Sequence, residues 1–264
     1  MKLSAAIFFA AAAMLALATS ATAVDGTIEI NQAKVMAAGG FPYVISTAST
    51  SYRLTGSLTV PSGKDGIDVN AAHITIDLNG FSIVGPGSSS ATPIGVNATG
   101  QKGITVQNGT LTGFGYGAAV GFFGIVKNVH ADANANGIQG GNNTVIEGCT
   151  ANNSTTSSTT GFGIYCAAAC TITGNTTNGN PFAGIQCAGN GCVISGNTAI
   201  ANDGFGIECL GSVCLISGNT IANDGTGINA HDVTTGYGGN VLYNDTNVLG
   251  GSSLGNNLCS GSVC

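Results

Sequence analysis

A unit of about 22 residues recurs along this 264-residue chain and constrains its fold more than any other feature. Each copy opens with a glycine followed by an aliphatic residue, and five successive copies are separated by 26, 21, 22 and 21 residues. These steps are Gly137-Ile138, Gly163-Ile164, Gly184-Ile185, Gly206-Ile207 and Gly227-Ile228. Because a fixed period is the mark of a repeat architecture, we expect each copy to pack mainly against its neighbours.

Within each copy, apolar and polar residues alternate in short segments that are separated by Gly, Asn and Asp. No helical periodicity is visible. This pattern predicts an all-β solenoid whose coils place equivalent residues about 4.8 Å apart along the axis. The five isoleucines of the repeated step are predicted to point inward. By alternation, their outward neighbours are Gln139, Tyr165, Gln186, Glu208 and Asn229.

A second register lies further along each copy and ends in an asparagine, as in Cys192-Val-Ile-Ser-Gly-Asn197. Asn175, Asn197 and Asn219 share this position and are predicted to stack as a structural ladder, since an amide can donate and accept at once. The leucine-rich repeat is a poor alternative, because the recurring aliphatic residues here are Ile, Val and Cys.

The coil length, the ladder and two early segments resemble bacterial secreted right-handed parallel β-helix proteins of the pectate-lyase-like group. The two segments are Ser51-Tyr-Arg-Leu-Thr-Gly-Ser-Leu-Thr-Val60 and Ile74-Thr-Ile-Asp-Leu-Asn-Gly-Phe-Ser-Ile83. The resemblance spans about residues 43–250 and implies a right-handed parallel β-helix. It implies no particular reaction, since the group includes lyases, hydrolases and adhesins. The regular coils lack the motifs of these enzymes. They contain neither the basic residue of the lyases nor the Gly-His-Gly and Arg-x-Lys elements of the hydrolases.

The chain divides into four predicted parts. Residues 1–23 have the basic start, short apolar run and small-residue cleavage site of a signal peptide, so we expect a secreted, periplasmic or cell-surface protein with no membrane span after cleavage. Residues 24–60 form an N-terminal cap and first strands, with a short capping helix that begins at Asn31 and stops at Gly39. The β-helix repeats occupy residues 61–250, and residues 251–264 form a C-terminal cap.

Charge is sparse and unevenly distributed. Only 7% of residues are charged, the formal net charge is −6, and no Lys or Arg follows Lys127. A nucleic-acid partner is excluded, because phosphate binding needs clustered basic residues. The acidic second half also repels anionic polymers unless a cation intervenes.

Eight of the nine cysteines fall into local pairs, which predict disulfides in an exported protein. The pairs are Cys166/Cys170, Cys187/Cys192, Cys209/Cys214 and Cys259/Cys264, and Cys149 is left over. Bonds between cysteines stacked on adjacent coils are an alternative, and zinc ligation is a weaker one.

The outward row predicts a glycan-binding face that contains Tyr165, Gln186, Glu208 and Asn229. Polysaccharide or cell-surface glycan is therefore the expected partner of a non-catalytic protein; the oligomeric state is not indicated. A polysaccharide hydrolase or lyase is the alternative, with Asp203, Asp224, Glu208 and His231 as its catalytic residues, because the two Asn-Asp-Gly turns would bring carboxylates together. No cofactor is predicted. The oxygen atoms of the Asn-Asp-Gly turns are of the type that binds calcium. A coat or adhesin role is the third interpretation.

Overall fold

The computed structural model describes residues 26–87, 93–155, 161–243, 248–260 and 262–263, and they form a right-handed parallel β-solenoid with coils of about 22 residues. This confirms the predicted fold class. The proposed signal peptide (1–23) and Cys264 lie outside these residues.

Most of the described chain is short strands joined by tight turns. The first coils contain β1 (Ile28–Ile30), α1 (Gln32–Ala37), β2 (Tyr43–Ile45), β3 (Ser51–Leu54), β4 (Leu58–Thr59), β5 (Ile67–Val69), β6 (Thr75–Asp77), β7 (Ser82–Val84), β8 (Ile94–Lys102), β9 (Thr105–Thr112), β10 (Tyr116–Phe122) and β11 (Ile125–Asp132). The middle coils contain β12 (Asn136–Gly140), β13 (Val145–Glu147), β14 (Thr150–Asn152), β15 (Phe162–Cys166), β16 (Thr171–Thr173), β17 (Thr176–Asn178), β18 (Ala183–Cys187), β19 (Val193–Ser195) and β20 (Thr198–Ile200). The last coils contain β21 (Phe205–Cys209), β22 (Leu215–Ser217), β23 (Thr220–Ala222), β24 (Thr226–Ala230), β25 (Gly236–Gly238), β26 (Val241–Tyr243), β27 (Val248–Gly250), β28 (Ser252–Ser253), β29 (Leu258–Cys259) and β30 (Ser262–Val263).

Two sheets run along the solenoid axis. Sheet B contains one strand from each of ten coils, in the order β2-β5-β8-β10-β12-β15-β18-β21-β24-β27, while the other strands belong to sheet A. Neighbouring strands are parallel, apart from the β29–β30 pair. Because consecutive coils pair in register, each row of equivalent residues becomes a straight line along the axis.

The repeated aliphatic step supplies the core of sheet B. Ile138, Ile164, Ile185, Ile207 and Ile228 are in mutual register and are each fully buried. A matching row on sheet A, which includes Ile146, Ile172, Ile194 and Ile216, packs into the same core. The interior is therefore built from stacked β-branched residues, as the sequence predicts.

The predicted asparagine ladder is present and longer than expected. Asn175 donates from its backbone N (2.9 Å) and its Nδ2 (3.0 Å) to Oδ1 of Asn197, and Asn197 repeats both contacts to Asn219. The same pattern continues through Asn240 to Asn257. All five amides are buried, and the paired hydrogen bonds satisfy polar groups that burial would otherwise destabilise.

A second ladder, which the sequence analysis missed, runs through Asn180, Asn202 and Asp224. Asn180 donates to Oδ1 of Asn202 from its N (3.2 Å) and Nδ2 (2.9 Å), and Asn202 donates likewise to Oδ1 of Asp224. The second ladder requires glycine at three neighbouring positions, Gly163, Gly184 and Gly206, because a Cβ at any of them would lie 2.7 or 2.8 Å from a ladder side chain. The glycine of the repeated step is thus a packing requirement.

Three predicted disulfides are confirmed: Cys166–Cys170, Cys187–Cys192 and Cys209–Cys214. They form a buried column, since their first members occupy equivalent positions on β15, β18 and β21. Cys259 is also disulfide-bonded, and its pairing with Cys264 stays a prediction. The free thiol of Cys149 is buried, and burial raises its pKa to about 11.

The N-terminal end of the solenoid is covered by α1, which begins at Asn31 as predicted. The Asn31 side chain accepts a hydrogen bond from the backbone N of Lys34 at 3.0 Å, and Val35 is buried against the first coil. Gly39, with a φ of +108°, follows the helix. In the part of the chain described here, no helix has both the length and the apolarity to cross a membrane.

Candidate functional site

The outward row of sheet B contains the residues predicted to bind glycan. Parallel pairing places Tyr165 beside Gln186, Gln186 beside Glu208, and Glu208 beside Asn229. Gln186 and Glu208 are only 5% and 3% exposed, although they point away from the core. Gln186 and Glu208 are therefore covered and bonded to each other, while Tyr165 and Asn229 at the two sides are partly exposed. The alternation pattern did not predict this burial.

Glu208 is the centre of this network. One carboxylate oxygen, Oε2, accepts from Nε2 of Gln186 on the preceding coil. The other, Oε1, accepts from Nδ2 of Asn229 at 3.0 Å and lies 3.1 Å from Nε2 of His231. Two amide donors thus hold the carboxylate, with the His231 ring beside it, which explains how its charge is accommodated outside the core without a Lys or Arg partner.

His231 is joined to the network through one ring nitrogen, Nε2. This nitrogen lies 3.1 Å from Oε1 of Glu208, which accepts, and 2.9 Å from Nδ2 of Asn229, which donates, so the two contacts favour opposite tautomers of the ring. The His231 side chain is about half exposed. His231 is accordingly the most accessible member of the network.

Aromatic rings line the start of the sheet B strands beside this network. The ring of Phe182 lies 5.1 Å from that of Phe162 and 5.6 Å from that of Phe205, in edge-on contacts, and Tyr165 lies 5.5 Å from Phe162. We call Phe162, Phe182 and Phe205 the aromatic column. The sequence indicates Phe162 and Phe205, which precede equivalent glycines, but not Phe182, because Phe182 precedes Ala183, the residue in register with the other two phenylalanines.

The two aspartates proposed as a catalytic pair do not occupy equivalent turns. Asp224 aligns with Asn202 and is buried, whereas Asp203 is exposed one residue beyond that position. The expectation of matching turns is therefore wrong by one residue, because the two Asn-Asp-Gly segments are 21 residues apart while the ladder contacts here span 22. Any catalytic role for Asp203, Asp224, Glu208 and His231 stays a prediction.

A pair of carboxylates that the sequence analysis did not single out lies on the same face nearer the N-terminus. Asp68 is in register with Asn97. Asp65 accepts from the backbone N of Ile94 at 2.7 Å and from Nδ2 of Asn97 at 3.1 Å. Burial, followed by the charge of Asp65, raises the pKa of Asp68 to about 6. This pair could have been recognised in the sequence from the segment Asp65-Gly-Ile-Asp68, in which two aspartates flank a Gly-aliphatic step of the repeat.

Three sulfurs in the disulfide column are close enough together to resemble metal ligands. The Sγ atoms of Cys187, Cys192 and Cys214 lie within 4.8 Å of one another. Each is bonded, Cys187 to Cys192 and Cys214 to Cys209, so none offers the thiolate that a metal requires. The column is therefore better explained as structural.

The fold is similar to that of a solved tailspike protein. The crystal structure of the Dettilon tailspike protein (gp208) matches with a TM-score of 0.60 and 16% identity, covering 81% of this chain and 50% of that one. The chain thus spans about half the length of that structure, and at this identity the likeness concerns the fold alone. No family model and no curated protein matches the chain. Membership of the pectate-lyase-like group stays a prediction.

Proposed function

We propose that this protein is an exported β-helix that binds carbohydrate on the outward face of sheet B, without catalysis. The observation that carries the proposal is the aromatic column beside the bonded row of Gln186, Glu208 and Asn229. Partly exposed rings offer an apolar surface to a sugar ring, and the partly exposed Asn229 and His231 offer hydrogen bonds to its hydroxyls. The Dettilon tailspike shares the fold, which is compatible with a glycan-directed role.

The charges of this face favour a neutral glycan. No Lys or Arg lies on any coil after Lys127, and the carboxylate of Glu208 lies just beneath the face. A uronate or sulfated chain would therefore meet like charge with no basic partner. Export is supported by the pattern of residues 1–23 and by disulfides, which persist in oxidising compartments.

The alternative of a hydrolase or lyase has less support from the geometry. Oε1 and Oε2 of Glu208 both accept hydrogen bonds, and Asp224 is buried, with its Oδ1 accepting two from Asn202. A general acid or nucleophile needs an oxygen free to reach the substrate. Asp203 is exposed, but it does not occupy a turn equivalent to that of Asp224, as the sequence analysis had expected.

The proposal is tested by measuring binding of neutral polysaccharides and of polygalacturonate to the purified protein, with Phe182→Ala and Asn229→Ala as variants. We expect a neutral glycan to bind and each variant to weaken it roughly tenfold, the usual cost of removing an important contact. Tyr243→Ala, an exposed aromatic on sheet A, is the matched control and should bind normally.

Two outcomes would favour the alternatives. Release of reducing ends or unsaturated products that is lost in Asp203→Asn or Glu208→Gln would establish an enzyme. Absence of binding across the panel would favour the coat or adhesin role.

A further inference from the structure

The disulfides of the buried column stack on one another, so sulfur atoms of different bonds come close together. The Sγ atoms of Cys187 and Cys192, which form the middle bond, both lie within 4.8 Å of Sγ of Cys214, which belongs to the last bond. This group of three sulfurs does not include Cys209, the bonded partner of Cys214. Of the two cysteines in the last bond, Cys214 is therefore the one placed beside both sulfurs of the neighbouring bond.

The backbone places Cys192 and Cys214 at equivalent positions on adjacent coils. The residues that follow them, Val193 and Leu215, are paired in register, and the backbone N of Leu215 donates to the carbonyl oxygen of Cys192 at 2.8 Å. Equivalent residues of neighbouring strands lie about 4.8 Å apart, which is inside the range of Cα separations that a disulfide spans. The present bonds join Cα atoms that are 6.6 and 6.9 Å apart. A bond between the coils, from Cys192 to Cys214, therefore needs no longer reach than either present bond.

The last bond of the column is also the one nearest to solvent. It closes a turn in which Leu210 and Val213 are 41% and 65% exposed. Cys214 is 3% exposed, the largest value among the six cysteines of the column. The next coil does not continue the column, since Ala230 is the residue in register with Cys209. A small reductant is therefore expected to open the column at this end.

We propose that Cys214, once freed from Cys209, is the nucleophile of an internal thiol–disulfide exchange that replaces the middle bond with a bond between coils. A low-molecular-weight dithiol supplies the first step, in which it is oxidised to a cyclic disulfide while Cys209–Cys214 is reduced to two thiols. Sγ of Cys214 then loses its proton and attacks Sγ of Cys192. The Cys192–Cys214 bond forms, the Cys187–Cys192 bond breaks, and Cys187 leaves as a thiolate that takes up the proton. The exchange step conserves the number of disulfides, but the new bond joins two coils instead of closing one turn.

Cys209→Ser tests the exchange directly, because it frees Cys214 without a reductant. The folded variant is incubated at about pH 9, which raises the thiolate fraction of a buried thiol. Free thiols are then alkylated in denaturant, and the chain is cleaved before its aspartates. Fragment 132–202 contains Cys192 and fragment 203–223 contains Cys214, so a bond between coils holds these two fragments together under non-reducing conditions. We expect a linked pair, and tandem mass spectrometry should identify Cys192 as the cysteine bonded to Cys214.

Cys214→Ser is the matched control, since it frees Cys209 instead and should give several-fold less of the linked pair. Circular dichroism melts establish that each variant is folded. The unmodified protein provides a second measurement that needs no variant: a limiting amount of dithiothreitol should produce the same linked pair, with Cys187 and Cys209 alkylated. Separate fragments in the folded Cys209→Ser variant, separate fragments in the unmodified protein after limited reduction, or equal linkage in Cys214→Ser would each overturn the proposal.

Discussion

The backbone N and the side-chain Nδ2 of Asn202 both donate to one oxygen of Asp224, Oδ1, at 2.6 and 2.8 Å. An aspartate thus occupies the position that asparagine holds on the two preceding coils. Because two donors converge on the carboxylate, its charge is stabilised where burial alone would disfavour it.

Replacing Asp224 separates this structural role from a catalytic one. Asp224→Ala leaves two buried donors of Asn202 without their acceptor, so we expect unfolding free energy to fall by about 2–4 kcal/mol. Asp224→Asn keeps an acceptor oxygen and should change stability by less than about 1 kcal/mol. Chemical denaturation of both variants measures the difference, and equal losses would contradict the ladder interpretation.

Removal of one member should strongly destabilise the longer asparagine ladder. In Asn197→Ala, Asn175 loses the acceptor of two hydrogen bonds, and Asn219 loses one of its two donors, the Nδ2 of residue 197. We expect a loss of about 3–5 kcal/mol in unfolding free energy, since the groups left behind are buried. Asn178→Ala, at an outward position on β17, is the control and should cost about 0.5 kcal/mol or less. A loss in Asn197→Ala no larger than the control's would show that the ladder contributes little.

The glycine of the repeated step should not tolerate even one methyl group. A Cβ at Gly184 would lie 2.4 Å from Oγ1 of Thr177 and 2.8 Å from Nδ2 of Asn202. Gly184→Ala should therefore lower stability by about 1–3 kcal/mol through overpacking. Gly56→Ala, where the nearest atom is 3.8 Å away, should be nearly neutral in the same thermal melts. A neutral Gly184→Ala would mean that the second ladder can shift.

Reduction of the disulfides should lower the melting temperature. The bonded cysteines are four or five residues apart, so each small loop contributes about 2 kcal/mol in the chain-entropy description. Calorimetry with and without a phosphine reductant measures the sum. In denaturant without reductant we expect one reactive thiol per chain, that of Cys149, if Cys259 pairs with Cys264. An unchanged melt with nine reactive thiols would contradict the assignment.

Asp68 should make stability depend on pH. Its pKa is raised from 3.8 to about 6, chiefly by burial, so the folded protein retains a proton that the unfolded chain has released between about pH 4 and 6. The contribution of Asp68 is therefore fully present below about pH 4 and is lost as the pH rises through about 6. Asp68→Asn should flatten this part of the melting profile, while the exposed Asp203→Asn should leave it unchanged. A profile of Asp68→Asn identical to that of the unmodified protein would exclude Asp68 as the source.

The periodic features of the fold were predictable from the sequence, and the local ones were not. Ile185 and Asn197 recur at a fixed interval, so their rows and the ladder follow from counting residues. The second ladder was missed because Asn180, Asn202 and Asp224 do not share one residue type, and because the Asn-Asp-Gly motif suggested a register one residue away. The burial of Glu208 depends on contacts from the side chains of Gln186, Asn229 and His231. The period of the repeat does not predict such contacts.

The ladder hydrogen bonds of a coil reach only the coils next to it. The bonds from Asn175 to Asn197 and from Asn197 to Asn219 both span 22 residues, so an internal duplication of that length would meet matching donors and acceptors on each side. A gene encoding such a chain can lengthen or shorten it in whole units while the cross-section stays constant. Mutation can therefore change the axial length of the solenoid more readily than its cross-sectional shape.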